Sequence, residues 1–181
     1  MKKVHLFLLA SLVCFFSCSK NKNDDSSFHI TCKVNGTSKS FNSVINGIKG
    51  TAEARGIAIS AASAMSSSAE GFAFIVNDIT NENEVTPGTY TDQSTTFQLL
   101  ANYYGGSDVL DYHAGTEMYL ESLHYDKPIT NHFQVVISSI EDNKVRGTFN
   151  GDFYLNGEIE GEKVSITEGS FYVQLKEQQL P

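Results

Sequence analysis

The stretch VRGTFNGDFYL, residues 145–155, decides the fold class because its apolar and polar residues alternate along its whole length. One face carries Val145, Gly147, Phe149, Gly151, Phe153 and Leu155, and the other carries Arg146, Thr148, Asn150, Asp152 and Tyr154. A period of two places successive side chains on opposite faces of a β-strand. The pattern therefore predicts a central strand with a well-defined register.

The same alternation recurs along most of the chain. In FHITCKVN, residues 28–35, the predicted inward positions are Phe28, Ile30, Cys32 and Val34. Asn35-Gly36 then favours a type I′ hairpin, which requires positive φ at both central residues. Further strands are predicted at Ser38–Phe41, Gly56–Ala62, Gly71–Val76, Thr95–Tyr103, Met118–Tyr125, His132–Ile140 and Val164–Leu175.

The last predicted strand changes its inward face partway along. Val164 and Ile166 occupy even positions, whereas Phe171 and Val173 occupy odd ones. An extra residue on one strand of a pair produces such a change. We therefore expect a β-bulge near Glu168-Gly169.

Helical periodicity does not extend beyond a turn or two anywhere in the sequence. ISAASAMSSSAE, residues 59–70, could form a helix, but its Ala and Ser content favours a mobile loop. We expect an all-β fold, a single antiparallel β-sandwich or a lipocalin-like barrel of about nine strands. The predicted β domain spans residues 28–176, followed by a C-terminal tail at 177–181.

The first twenty residues, MKKVHLFLLASLVCFFSCSK, have the composition of a secretion signal. The apolar run at 4–16 is shorter than the roughly 20 residues that a membrane-spanning helix needs. Ser17, a small residue, precedes Cys18, so cleavage is expected after residue 17 with lipid attached to Cys18. Residues 18–27 then form a polar tether, which as a flexible coil reaches about 15–18 Å.

Charge and cysteine content exclude several classes of function. Removal of residues 1–17 takes two of the 13 basic residues and changes the formal net charge from −8 to −10. Such an acidic chain is not expected to bind nucleic acid or anionic lipid surfaces. Cys32 is the only thiol left, which rules out an intrachain disulfide, and its inward position argues against a nucleophilic role.

Motifs for catalysis or metal binding are weak. The sequence has no G-x-S-x-G, H-E-x-x-H or Walker pattern. His124, Asp126 and His132 flank a predicted hairpin, and NDITNENE at 77–84 gathers oxygen donors without the register of an EF-hand. Turn and surface roles explain both groups, so we expect no metal, no cofactor and no enzymatic activity.

The segment NYYGGSDVLDYHAGTE, residues 102–117, is the predicted candidate for ligand binding. It has the features of a long glycine-punctuated loop, and binding residues are often found on such loops. Aromatic rings beside carboxylates suit stacking on sugars, although these tyrosines could equally cap the edge of the sheet. The candidate residues are Tyr103, Tyr104, Asp108, Asp111, Tyr112 and His113.

Several short landmarks recur in one order along the chain. They are Pro87-Gly88-Thr89-Tyr90, Tyr103-Tyr104, Gly147-Thr148-Phe149 and the run Ile166 to Phe171. This order resembles small Bacteroidetes envelope lipoproteins of unknown function. The resemblance implies a lipid-anchored β domain on the outer membrane, exposed at the cell surface, but it supplies no functional residue. Lys20 and Lys22 lie between Cys18 and the acidic pair Asp24-Asp25, which leaves a periplasm-facing position open.

Together these features predict a lipid-anchored envelope lipoprotein with a non-enzymatic β domain. Its expected partners are the membrane and a carbohydrate, peptide or envelope protein. One alternative is a structural or assembly subunit of a surface complex. Another is a hydrolase that uses Asp108, Asp111 and His113.

Overall fold

The computed structural model describes residues 27–51, 55–66, 68–106, 110–125 and 128–179. The predicted signal peptide, Cys18, residues 19–26 of the tether, Asp108 and Asp126 lie outside these ranges. The elements are β1 (His29–Val34), β2 (Thr37–Ser40), β3 (Val44–Thr51), β4 (Gly56–Ala62), β5 (Gly71–Asp78), β6 (Gly88–Thr91), β7 (Phe97–Tyr104), β8 (Asp111–Gly115), α1 (Thr116–Ser122), β9 (Gln134–Glu141), β10 (Lys144–Leu155) and β11 (Lys163–Gln179). The all-β prediction is confirmed.

The alternation that predicted β10 and β1 corresponds to real burial. Val145, Phe149 and Phe153 are buried on one face of β10, and Ile30 is buried in β1. The β1–β2 hairpin turns at Asn35-Gly36, whose φ values of 47° and 79° are both positive as predicted.

The predicted β-bulge in β11 is present. Glu168 has a φ of 51°. The registers of both neighbouring strands shift at this point: β1 between Thr31 and Lys33, and β10 between Phe149 and Gly151. The extra residue allows both halves of β11 to face the same core.

All strands belong to one sheet, in the order β2-β1-β11-β3-β4-β5-β7-β8-β10-β9-β6. Because β11 also pairs with β10, the hydrogen-bonded neighbours form a closed circuit: β3, β4, β5, β7, β8, β10 and β11. The described residues form 11 strands rather than about nine, and β11 pairs in parallel with β3. The prediction of a purely antiparallel sheet was wrong at that pairing.

Phenylalanine rings fill the interior of the circuit. Phe72 stacks on Phe149 with ring centroids 4.4 Å apart, and Phe74 meets Phe171 edge-on at 5.2 Å. Phe153 packs against Phe133 at 5.0 Å. Aromatic rings bury large areas and pair in these geometries. The main core is therefore a packed aromatic centre.

Three further predictions were wrong. Residues 118–125 are not a strand, because residues 116–122 form α1. Phe28, predicted to point inward, lies outside β1 and is 38% exposed. Its ring packs on the ring of Tyr172. Residues 177–179 extend β11 instead of forming a tail. By contrast, residues 63–66 and 68–70 are non-helical, as the loop interpretation of 59–70 predicted.

The second half of β10 is buried on both faces. Tyr154, on the outer face, packs with Ile129 and Ile159 in a small second cluster, and Met118 of α1 packs against it. Asp152 is buried beside this cluster and accepts hydrogen bonds of 2.7 Å from Asn131 Nδ2 and Lys163 Nζ. Helix α1 and residues 128–131 thus cover this part of the sheet, so the outer surface is uneven at this place.

Candidate functional site

A groove of about 620 Å³ lies where α1 meets the turn between β10 and β11. We call it the α1 groove. One wall comes from α1 and the turn after it, through Met118, Glu121 and Tyr125. The other wall is residues 156–161, and His113 of β8 lies at one side.

The position of α1 depends on an abrupt change of direction after β8. Gly115 has φ 120° and ψ −161°, a conformation that only glycine adopts readily. Thr116 Oγ1 then accepts a hydrogen bond of 2.9 Å from the backbone N–H of Leu99. The helix therefore begins directly at the end of a core strand, against β7.

The opposite wall is a short turn held at both ends. Asn156 and Gly157 have φ values of 52° and 75°. The Asn156 N–H donates to the Asp111 carbonyl at 2.7 Å, and the Leu155 N–H donates to the Glu162 carbonyl at 2.8 Å. These bonds fix the turn relative to β8, so both walls are built on the same sheet.

The α1 groove is strongly acidic. Glu121, Glu158 and Glu160 line it, and the described lining contains no lysine or arginine. The pKa of Tyr125 is raised, first by the charge of Glu121, then by burial, and further by Glu160 and Glu158. The hydroxyl of Tyr125 also donates to Glu121 Oε1 at 3.3 Å. The negative charges of these three carboxylates therefore all act on the hydroxyl group of Tyr125.

Apolar side chains stand beside these carboxylates. Met118, Tyr125 and Ile159 line the groove, and Tyr125 is 38% exposed. Leu120 and Leu123 are also exposed but lie outside the lining of the groove. The groove thus offers both charge and apolar contact area.

His113 and Asp111 form a small polar pair on the outer face of β8. His113 Nε2 lies 3.2 Å from Asp111 Oδ2, and His113 Nδ1 lies 3.0 Å from Asn102 Nδ2. Because Asn102 Nδ2 is a donor, Nδ1 accepts and Nε2–H donates to Asp111. Of the three residues of the hydrolase alternative, Asp111 and His113 are in contact, whereas Asp108 lies outside the described residues.

The predicted tyrosine loop is instead the end of a hairpin. Tyr103 and Tyr112 face each other across β7 and β8 and are 4% and 3% exposed. Their hydroxyls bond to Glu70 and Glu162, at 3.4 Å and 2.8 Å. Buried rings do not present a face for a sugar to stack on. Of the three tyrosines only Tyr104 is exposed.

The acidic loop at 77–84 is held together by hydrogen bonds between its own backbone N–H groups and Asp78. Asp78 is fully buried and accepts hydrogen bonds from the backbone N–H groups of Thr80, Glu82 and Asn83. Burial raises the pKa of Asp78, but these hydrogen bonds outweigh it and lower the pKa to about 2. The carboxylate that would have been the best calcium ligand is thus already occupied.

Two other residues considered for metal binding or catalysis, His132 and Cys32, are held within the fold. His132 Nδ1 lies 3.0 Å from Asp92 Oδ1, and its ring packs edge-on against Tyr119. Cys32 is buried, and burial is the main cause that raises its pKa to about 12. In the described ranges, no three His, Cys, Asp or Glu side chains are grouped closely enough to hold a metal ion.

Sequence reasoning missed the α1 groove because its two walls are distant in the chain. Residues 156–161, NGEIEG, contain the acidic pair and the turn signal, yet nothing in them indicates that α1 lies opposite. Within the described ranges, α1 is too short and too polar to cross a membrane. Comparison with known proteins found no matching family model, no matching curated protein and no matching solved structure.

Proposed function

We propose that this chain is a lipid-anchored protein of the cell envelope whose β domain binds a cationic partner in the α1 groove. The anchor rests on the secretion pattern before Cys18. The order of landmarks that resembles Bacteroidetes envelope lipoproteins supports a place on the outer membrane. The binding role rests on the groove, whose walls combine three carboxylates with apolar side chains.

The chemistry of the groove favours a peptide segment with lysine or arginine beside an apolar residue. Carboxylates from opposite walls, Glu121 on one side and Glu158 and Glu160 on the other, can each pair with a cation. Met118 and Tyr125, which line the same groove, offer apolar contact next to them. A neutral sugar would leave the carboxylates without charged partners, so we favour a peptide or protein partner over a glycan.

A binding titration tests this proposal. The probe is a fluorescein-labelled hexalysine peptide, and its anisotropy is followed as protein is added. Exposed ion pairs contribute about 0.2–1 kcal/mol each. Glu121→Gln/Glu158→Gln/Glu160→Gln should therefore weaken binding by about 1–2 kcal/mol, roughly five- to thirtyfold.

A matched control separates the groove from the general acidity of the chain. Glu84→Gln/Glu141→Gln/Glu177→Gln removes the same charge at exposed positions outside the groove. The control should weaken hexalysine binding much less. If both triple variants lose affinity equally, the peptide responds only to net charge and the groove is not a binding site.

A second candidate function is an assembly subunit, favoured by the sheet edge. β2 stands at one end of the strand order and its Thr37, Ser38 and Ser40 are exposed. An edge strand presents backbone groups that can pair with another chain. Light scattering of the mature protein in detergent tests this: an assembly subunit gives a mass that rises with concentration, and a constant monomer mass counts against it.

A further inference from the structure

A second feature lies at the point where the described chain begins. His29, Tyr172 and Arg146 sit side by side on β1, β11 and β10, because Tyr172 pairs with both of the others. Phe28 packs on the Tyr172 ring with centroids 5.2 Å apart, and Arg146 Cζ lies 4.7 Å from the ring centroid. We call this outer surface the Tyr172 face.

The Tyr172 face combines aromatic rings, a guanidinium and hydroxyls on one surface. Phe28 and Arg146 are exposed. A shallow depression of about 220 Å³ is lined by Tyr172, Arg146 and hydroxyl side chains that include Thr148 and Ser170. Aromatic and arginine side chains with an apolar body and a polar end are favoured at the boundary between lipid and water. The chemistry thus fits a phospholipid headgroup layer.

The length of the preceding chain brings this face within reach of the membrane. Ten residues lead from Cys18 to Phe28, and a chain of that length spans at most about 36 Å. Phe28 is itself part of the face. A surface held this close to its target by a short linker experiences an effective concentration of about mM, so even weak contacts are populated.

The α1 groove lies near the start of β11, whereas Tyr172 lies near the middle of that strand. The turn at 156–161 precedes β11, and nine residue steps separate Lys163 from Tyr172. At about 3.3 Å per residue, this is roughly 30 Å along the strand. Docking of the Tyr172 face therefore leaves the α1 groove outside the area of contact, where a partner can reach it.

We infer that the Tyr172 face docks on the phospholipid headgroups of the membrane leaflet in which Cys18 is anchored and leaves the α1 groove free for its partner. This inference rests on the lipid anchor of the proposed function, with Cys18 in the phospholipid leaflet that faces the periplasm. The charge of the Tyr172 face is compatible with docking on lipid. The positive charges of Arg146 and Lys144 lie beside the negative charges of Glu141 and Asp142 at the edge of the face. Zwitterionic headgroups suit such a balanced surface.

Depth-dependent quenching on vesicles tests the inference. The mature lipoprotein is reconstituted in phosphatidylethanolamine-rich vesicles, and a fluorophore is attached through Thr148→Cys on the face or Glu160→Cys in the groove. Lipids with a spin-labelled headgroup serve as quencher. We expect strong quenching at position 148 and little at position 160, with the quenching at 148 lost in Phe28→Ser/Arg146→Ser but kept in Leu120→Ser/Leu123→Ser.

The outcomes separate this inference from the proposed function. Protein that floats with the vesicles but shows equal quenching at both positions overturns the docking face and leaves the anchor intact. Protein that does not float overturns the anchor and the docking face together. Quenching at position 148 that requires lipopolysaccharide in the vesicles also overturns the inference, because the face would then bind a glycan.

Discussion

Replacing Gly115 by alanine should displace helix α1 and destabilise the domain by about 2–6 kcal/mol. The φ of Gly115 is 120°, and backbone in this region costs a non-glycine residue about 1–3 kcal/mol. A Cβ atom there would lie 2.0 Å from the carbonyl oxygen of Leu99 in β7. Backbone in a core strand cannot move aside cheaply, so an overpacking cost of about 1–3 kcal/mol is added.

Gly36→Ala is the matched control for this experiment. Gly36 also has a positive φ, 79°, but no atom lies within 4 Å of the position that an alanine Cβ would occupy there. Only the left-handed conformation is penalised at this site, by about 1–2 kcal/mol. Urea denaturation of both variants measures the difference in unfolding free energy, which should be about 1–3 kcal/mol, the overpacking cost at Gly115.

Thermal unfolding gives a second readout. For a domain of this size, 1 kcal/mol corresponds to about 2–4 °C in Tm. Gly115→Ala should therefore melt well below Gly36→Ala and also lose hexalysine affinity, because α1 forms one wall of the groove. Equal losses of stability in the two variants would refute the claim that Gly115 fixes the position of α1.

Three further predictions concern buried polar groups. The loop amides hold the pKa of Asp78 near 2 against the effect of burial, so its contribution to stability is complete above the usual carboxyl pKa of 3.8 and is lost as pH falls towards 2; the urea midpoints of Asp78→Asn and the parent should converge at pH 2, and a gap as large as at pH 6 would contradict this. In a Cys18→Ser variant, Cys32 should resist a thiol reagent at pH 8 until the protein is denatured, because burial raises its pKa to about 12; rapid reaction of the folded protein would be evidence against a core position. Asp152→Asn should cost about 1–2 kcal/mol in urea denaturation, since it loses the ion pair with half-exposed Lys163; no loss would show that the pair contributes nothing.

Local sequence signals predicted the strands whose faces differ clearly. In β10, a buried face alternates with a polar one, and Asn35-Gly36 specifies its turn without help from distant residues. The bulge at Glu168 was also predictable, because the inward-facing residues change from even to odd positions along β11 and an extra residue in the strand explains that change. These features depend on neighbours in the chain.

The loop prediction for 102–117 was wrong although the pattern of a strand was present. Tyr112 and Ala114 alternate with Asp111 and His113, which is the period of β8. The glycines at 105–106 favoured a loop, whereas they lie only near the tip of the hairpin. Aromatic residues are ambiguous in this way, because the same ring serves equally in a core or on a binding surface.

Features that join distant segments could not be predicted from the chain alone. Residues 118–125, MYLESLHY, fit a strand and a helix almost equally. The helix is favoured because Gly115 turns the chain away from β8 and because Met118 packs against Ile129 and Tyr154. The parallel pairing of β11 with β3 likewise depends on closure of the sheet. The α1 groove is a consequence of both.

The most direct test of the binding site is an NMR titration of the mature domain with unlabelled hexalysine. We expect amide shift changes concentrated in residues 118–125 and 156–161, with hexaglutamate causing none. Changes located instead around Thr148 and Tyr172, or spread evenly over all acidic positions, would contradict the assignment of the α1 groove as the binding site.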